Sequence, residues 1–186
     1  MNLKVARIRK DAKLPTRAYS TDAGMDLYFC PNKEIQEQIT SIMGFPIEIR
    51  STTILSTGLK IEVPPNHMLE IKNKSGVASK RQLVVGACVV DCGYTGEIFV
   101  NLHNIGWKTQ YIQAGDEIAQ AVLIPISCCG VEEVSEEELA AFQAQEAENT
   151  KLRDEASEAG RTIAEGKKYQ QDVETYIQRA QNYITE

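Results

Sequence analysis

Residues 85–97, VGACVVDCGYTGE, run two valines into an aspartate and then into a Cys-Gly-Tyr-Thr-Gly turn. A carboxylate at the end of an apolar strand is a candidate general base. Aspartate is also a common turn residue that stops a strand, so Asp91 has a bland reading too. Apolar alternation resumes in IFVNL, which predicts a hairpin carrying Asp91 and Tyr94. Three other segments hold groups of comparable interest. Residues 20–28, STDAGMDLY, place Asp26 after a glycine and before an apolar strand. Residues 73–80, NKSGVASK, join the cation Lys74, the hydroxyl Ser75 and the flexible Gly76 in a turn leading into a helix or strand. Residues 115–124, GDEIAQAVLI, set Gln120 in an otherwise apolar strand, where an amide is most often just hydrogen-bonded within the sheet.

A β-rich body must position these groups. LKVARI, MDLYF, IEI, TTIL, LKIEV, MLEIK, QLVV, EIFVNL and AQAVLIPI are short β-branched or alternating runs. Turn signals such as STDAG, PPNH, NKSG, GYTG and QAGD separate them. Strands at such close spacing predict a sandwich, barrel or jelly roll, not a βαβ fold. The glycine-rich dinucleotide and P-loop signatures are absent. Residues 31–46, PNKEIQEQITSIMGFP, are polar and bounded by prolines, and are expected to form a short helix or an excursion from the sheet.

Charge divides the 186-residue chain in two. Residues 1–130 hold 14 Lys/Arg and 12 Asp/Glu, whereas residues 131–186 hold 6 and 14. A near-neutral body with an acidic tail argues against nucleic acid as a partner. No apolar run approaches the ~18 residues of a membrane span, and the N-terminal MNLKVARIRKDAK has no apolar signal region. Five cysteines, an odd count without C-x-x-C spacing, predict free thiols in a reducing cytoplasm. His67 and His103 are too few and too scattered for a triad or a His-based metal centre.

The tail changes period. Ser135 and Glu138 form a capping-box pattern at a helix start. A 4-3 spacing then selects Leu152, Ala156, Ala159, Ile163, Gly166, Gln170, Val173, Ile177, Ala180 and Ile184, a heptad seam weakened at its middle. It predicts a coiled coil that oligomerises or a helical hairpin folded on the body, with the seam buried in either case.

Order and spacing make the four segments specific. They resemble the trimeric, all-β dUTP pyrophosphatases (dUTPases). AGMDLY matches the first family motif, KSGVASKRQLVVGACVVDCGYTGE aligns without gaps to the second and third, and GDEIAQAVLIP to the fourth. The likeness covers about residues 3–134 and includes the lead-in KLPTRAYSTDAG. It implies a mainly β fold: a dUTPase-like distorted jelly roll (β-clip) over residues 1–134, with an insertion at about 31–46. Residues 135–186 add a C-terminal α-helical, coiled-coil-like tail.

The resemblance implies a dUTP diphosphatase that hydrolyses dUTP to dUMP and pyrophosphate by Mg²⁺-assisted water attack, in a homotrimer. Asp91 matches the carboxylate that orients and deprotonates the water. Tyr94 matches the tyrosine that packs under the deoxyribose and excludes a 2′-hydroxyl. The backbone of Val89 and Val90 matches the strand that pairs with the uracil edge. Ser75 and Gly76 match the hydroxyl and amide on the bridging oxygen and phosphate, Gln120 the amide on the phosphates, and Asp26 the acid that holds Mg²⁺ through water. Lys74 stands where the family usually has arginine, which keeps the charge but loses the bidentate fork.

The chain departs from the family in other places. The glycine-rich fifth motif, with its Gly-Phe-Gly core, is missing after Pro125, and Cys88 occupies a position that is usually glycine. These departures leave an alternative: a dUTPase-fold structural or regulatory binding protein that assembles through its tail, for which a protein partner is expected. The related dCTP deaminases need an additional general base, for which no candidate stands out.

Overall fold

The structure, a computed structural model, describes the backbone of residues 2–39 and 42–185, and side chains up to residue 175. In chain order the elements are β1 (Lys4–Arg7), β2 (Met25–Tyr28), α1 (Lys33–Gln38), β3 (Phe45–Ile47), β4 (Thr52–Ser56), β5 (Leu59–Glu62) and β6 (His67–Lys72). They continue with α2 (Ser75–Arg81), β7 (Leu83–Val85), β8 (Val89–Val90), β9 (Phe99–Asn104), β10 (Gln110–Ile112), β11 (Glu117–Pro125) and α3 (Glu136–Thr185). The chain divides into two compact units, Met1–Cys129 and Gly130–Glu186.

The first unit is a mainly β jelly roll. All its ladders are antiparallel, in sheets of order β2-β11-β6-β8 and β4-β9-β7 and two ribbons, β1-β5 and β10-β3. Period-two alternation decides what goes inside. Leu59 and Ile61 are buried while Lys60 and Glu62 face out, and Leu69 with Ile71, and Val100 with Leu102, repeat the pattern. These faces join Leu27, Phe29, Leu55, Ile112 and Ile118 in one core. Each fully buried aliphatic side chain stabilises the fold by ~1.5–3 kcal/mol. The polar residues of the core are satisfied: Ser56 Oγ donates to Cys30 O at 2.6 Å, Thr57 Oγ1 to Ile98 O at 2.6 Å, and Asn104 Nδ2 to Ile47 O at 2.9 Å.

The expected hairpin around Asp91 is not formed. Val89 and Val90 pair with Glu70 and Leu69 of β6, whereas β9 pairs with β4 and β7. With both edges of β9 already occupied, the open edge of β6 takes β8, and residues 91–98 cross between the two sheets. Strand β3 also falls two residues before the predicted IEI, and β10, three residues long, carried too little pattern to be seen. Within the 31–46 segment α1 is capped by Asn32, whose Oδ1 accepts from Ile35 N at 2.9 Å, and Ile35 is buried. Pro46 is tolerated in β3 because that strand has a partner on one side only.

The second unit contains a single 50-residue helix, not a helical hairpin. Its capping box is reciprocal: Ser135 N donates to Glu138 Oε2 at 2.9 Å, and Glu138 N to Ser135 Oγ at 3.2 Å. The seam expected to be buried is open within the chain, with Leu152 54 %, Ile163 61 % and Val173 40 % exposed. A lone helix has no second surface in its own unit to cover it. Seam positions Ile177, Ala180 and Ile184 lie outside the described side chains.

Candidate active site

Edge strand β8 builds one half of the site. Ile71 N donates to Cys88 O at 2.7 Å, and Leu69 faces Val90. Hydrogen-bonding pairs alternate along an antiparallel ladder, so Cys88 and Val90 turn their backbone toward β6 and Val89 turns its amide and carbonyl outward. Asp91 follows at once. Tyr94 N closes a turn on Asp91 O at 3.2 Å, and the Tyr94 hydroxyl donates to Glu97 O at 2.9 Å. The ring lies so close over Gly96 that a Cβ there would sit 2.4 Å from its Oη, so any larger residue would displace the ring. A cavity of about 230 Å³ opens here, lined by Cys88, Val89, Val90, Asp91, Tyr94 and Glu97 among others. Asp91 and Tyr94 are both exposed.

The other half is ionic. Asp26 on β2 stands in register with Gln120 on β11. Gly24 allows that approach, since a Cβ on it would meet Gln120 Oε1 at 1.8 Å. Gln120 Nε2 donates to Asn73 O at 2.8 Å. Lys74 is the N-terminal cap residue of α2, and its Nζ lies 2.7 Å from Asp26 Oδ1 and 3.0 Å from Glu117 Oε2. Partial burial opposes the ammonium charge, but the hydrogen bonds to Asp26 and Glu117 outweigh it and hold the Lys74 pKa above its ordinary value. Asp22, Gly24, Asp26, Lys74, Ser75 and Gln120 line a cavity of about 270 Å³. Gly76 is the second residue of α2, and the space around its Cα is open.

Thus the structure groups Asp26, Lys74, Ser75 and Gln120 in one cavity and Val89, Val90, Asp91 and Tyr94 in another, with no lining residue in common. A roomier cavity of about 350 Å³ runs along β1 and β5 and also touches Tyr94. Its Lys4 and Glu62 pair with each other at 3.1 Å, which leaves a mainly apolar wall.

Sequence reasoning missed Glu117, Arg9 and Glu97. Glu117 and Gln120 are three apart, so a regular strand would point them to opposite faces. A β-bulge between Glu117 and Ala119 resets the parity: Ile118 and Ala119 are both buried, and Glu117 swings to the Lys74 side. No local signal announces that bulge.

Among the described residues no three His, Cys, Asp or Glu cluster into a cation cage. Asp26 engages Lys74 through Oδ1, and one carboxylate beside the polar cavity of about 270 Å³ fits a hydrated Mg²⁺ carried by a triphosphate.

A family model described as dUTPase matches residues 10–150. The chain belongs to the dUTPase family. Among its relatives, the deoxyuridine 5′-triphosphate nucleotidohydrolase of Clostridium tetani (strain Massachusetts / E88) is 36% identical over 134 residues, covering 71% of this chain and 84% of the relative. That of Gloeothece citriformis (strain PCC 7424) is 37% identical over 136 residues, covering 72% and 86%. Among solved structures, the dUTPase from phage phi11 of S. aureus superposes with a TM-score of 0.64 at 23% identity, covering 73% of this chain and 97% of that one. The dUTPase jelly roll is therefore supported by sequence and by shape.

Proposed function

We propose that the protein is a dUTP diphosphatase that converts dUTP and water to dUMP and pyrophosphate. The observation that carries this reading is Asp91, exposed at the end of an edge strand and sharing a cavity with Val89 and Tyr94. The outward backbone of Val89 offers one donor and one acceptor, which suits the uracil edge, and cytosine would leave a buried donor facing a donor. Of the two expected valines, Val89 is the one turned outward. Tyr94 packs under the sugar, where a ribose 2′-hydroxyl would collide with its ring.

Asp91 takes a proton from the attacking water as its oxygen bonds to the α-phosphorus. The bond to the bridging oxygen breaks, and that oxygen leaves with pyrophosphate. Lys74 neutralises phosphate charge as a point cation, Ser75 and the Gly76 amide hydrogen-bond the bridging oxygen and phosphate, and Gln120 contacts the phosphates. Mg²⁺, when bound, would supply further charge neutralisation on the triphosphate, with Asp26 holding its water shell.

The two half-sites line separate cavities, which supports a homotrimer whose sites are completed between copies. The exposed seam of α3 supports a protein partner for the tail, either a second tail or another chain. The deciding experiment is pyrophosphate release from dUTP with dCTP, dTTP and UTP as controls. Release from dUTP alone is expected. Binding of dUTP without release would turn the reading toward a nucleotide-binding assembly protein.

A further inference from the structure

Behind the Asp91–Tyr94 cavity lies an ion pair that none of the above chemistry uses. Glu97 Oε2 accepts from Arg9 Nη1 at 2.9 Å, and its Oε1 accepts from Arg9 Nη2 and from Gly58 N, the latter at 2.7 Å. Arg9 Nη2 also donates to Cys30 O at 2.8 Å. The Glu97 side chain is only 11 % exposed and that of Arg9 24 %. The hydrogen bond to Glu97, working against partial burial, raises the Arg9 pKa, so Arg9 keeps its positive charge. Arg9 Nε is buried without a partner among the described residues, so its grip on Glu97 and Cys30 runs through the two terminal nitrogens.

Glu97 therefore links three distant places: the chain after β1, the turn before β5, and the loop that carries Tyr94. Its own carbonyl holds the tyrosine hydroxyl. Asp91 is secured differently, at the other end of the loop, by the β8–β6 ladder. A clamp at Glu97 thus acts on the ring more than on the base.

We propose that Glu97, held by Arg9 and the Gly58 amide, is a positioning residue that sets the height of the Tyr94 ring and so the discrimination between deoxyribose and ribose. This rests on the proposed role of Tyr94 as the sugar-packing residue. With a neutral amide at 97 the bidentate grip is lost, the Tyr94–Glu97 segment relaxes, and room for a 2′-hydroxyl appears.

The test is steady-state kinetics of Glu97→Gln on dUTP and UTP, with dUMP and UMP binding by calorimetry and thermal unfolding in parallel. The expected result is a fall of about tenfold in the ratio of kcat/KM for dUTP over UTP, carried by a higher KM for dUTP and a gain on UTP, with kcat for dUTP little changed. The dUMP/UMP affinity ratio should narrow in step. Because Glu97→Gln strands the Arg9 charge, the double variant Arg9→Gln/Glu97→Gln serves as the check that keeps the site neutral, and Glu97→Asp should recover part of the ratio. Equal losses on both nucleotides in a folded protein, with the ratio unchanged, would make the clamp merely structural and overturn the proposal. A wild-type protein that hydrolyses dUTP and UTP alike would instead overturn the role of Tyr94 on which the proposal stands.

Discussion

The two cavities hold their polar groups by opposite means. In the ionic one Lys74 is tied to Asp26 and Glu117 before any ligand arrives, and Gln120 is tied to the Asn73 carbonyl. In the other, among the described residues, no hydrogen bond restrains the Asp91 carboxylate, and the restraint falls on the backbone around it. A cation that binds phosphate works best when it is charged and already in place. A base must keep its oxygens available for a proton. Under the proposed roles, the difference teaches that substitutions should separate binding from chemistry, because each cavity would fail in its own way.

Asp91→Asn should break the comparison most severely. Losing the general base should lower kcat by ~10²–10⁴ while dUMP binding and thermal unfolding stay near wild type; an unchanged rate of pyrophosphate release would remove Asp91 from the chemistry. Mixing that variant with Gln120→Ala after co-refolding sharpens the point. If each site draws its halves from different copies, about a quarter of the sites in randomly mixed oligomers regain both intact halves, and at subsaturating dUTP the mixture exceeds the mean activity of the two variants. No recovery would place both halves in one copy.

Lys74→Met should act on binding. Loss of a charge-assisted hydrogen bond worth ~1.5–3 kcal/mol should raise KM for dUTP by one to two orders of magnitude with a smaller change in kcat. The pH dependence has a definite sign. The folded pKa of Lys74 is raised, so its contribution is complete below the ordinary value of 10.5 and is lost only as pH climbs through the higher folded value. In the wild type KM should therefore show no Lys74-linked rise between pH 7 and 10, as a KM–pH profile against Lys74→Met would reveal.

A smaller effect is expected at Glu117, which is 44% exposed. Glu117→Gln releases Lys74 from one of two carboxylates and removes a negative charge near the triphosphate. KM for dUTP should fall about two- to threefold, within the ~0.2–1 kcal/mol of an exposed pair, and the gain should shrink with added salt. Smallest of all for catalysis is Leu152→Asp on α3. It should leave kcat/KM within about twofold, as most surface substitutions do, while sedimentation reports a changed assembly if the seam pairs with another tail.

What was legible depended on how local the physics was. Helix α3 could be read because its cap and its hydrogen bonds span three or four residues, and the Ser135–Glu138 box closes as its sequence suggests. The strand faces could be read because alternate burial is a period-two property of each run, as Leu59–Glu62 shows. Residue chemistry singled out Asp91, Tyr94, Lys74, Ser75, Gln120 and Asp26, and the resemblance to dUTPases supplied the role of each. Tertiary structure decided everything that turns on a choice of partner. It sent β8 to the edge of β6, because β9 had no free edge to offer. It turned Glu117 toward Lys74 through a bulge whose extra residue costs nothing that local sequence records. It also brought Arg9 to Glu97 across 88 positions, a pairing whose hydrogen bonds, one from the Gly58 amide included, offset the cost of partial burial. Such contacts form only when the whole core condenses, so no window of sequence around either residue contains the reason for them.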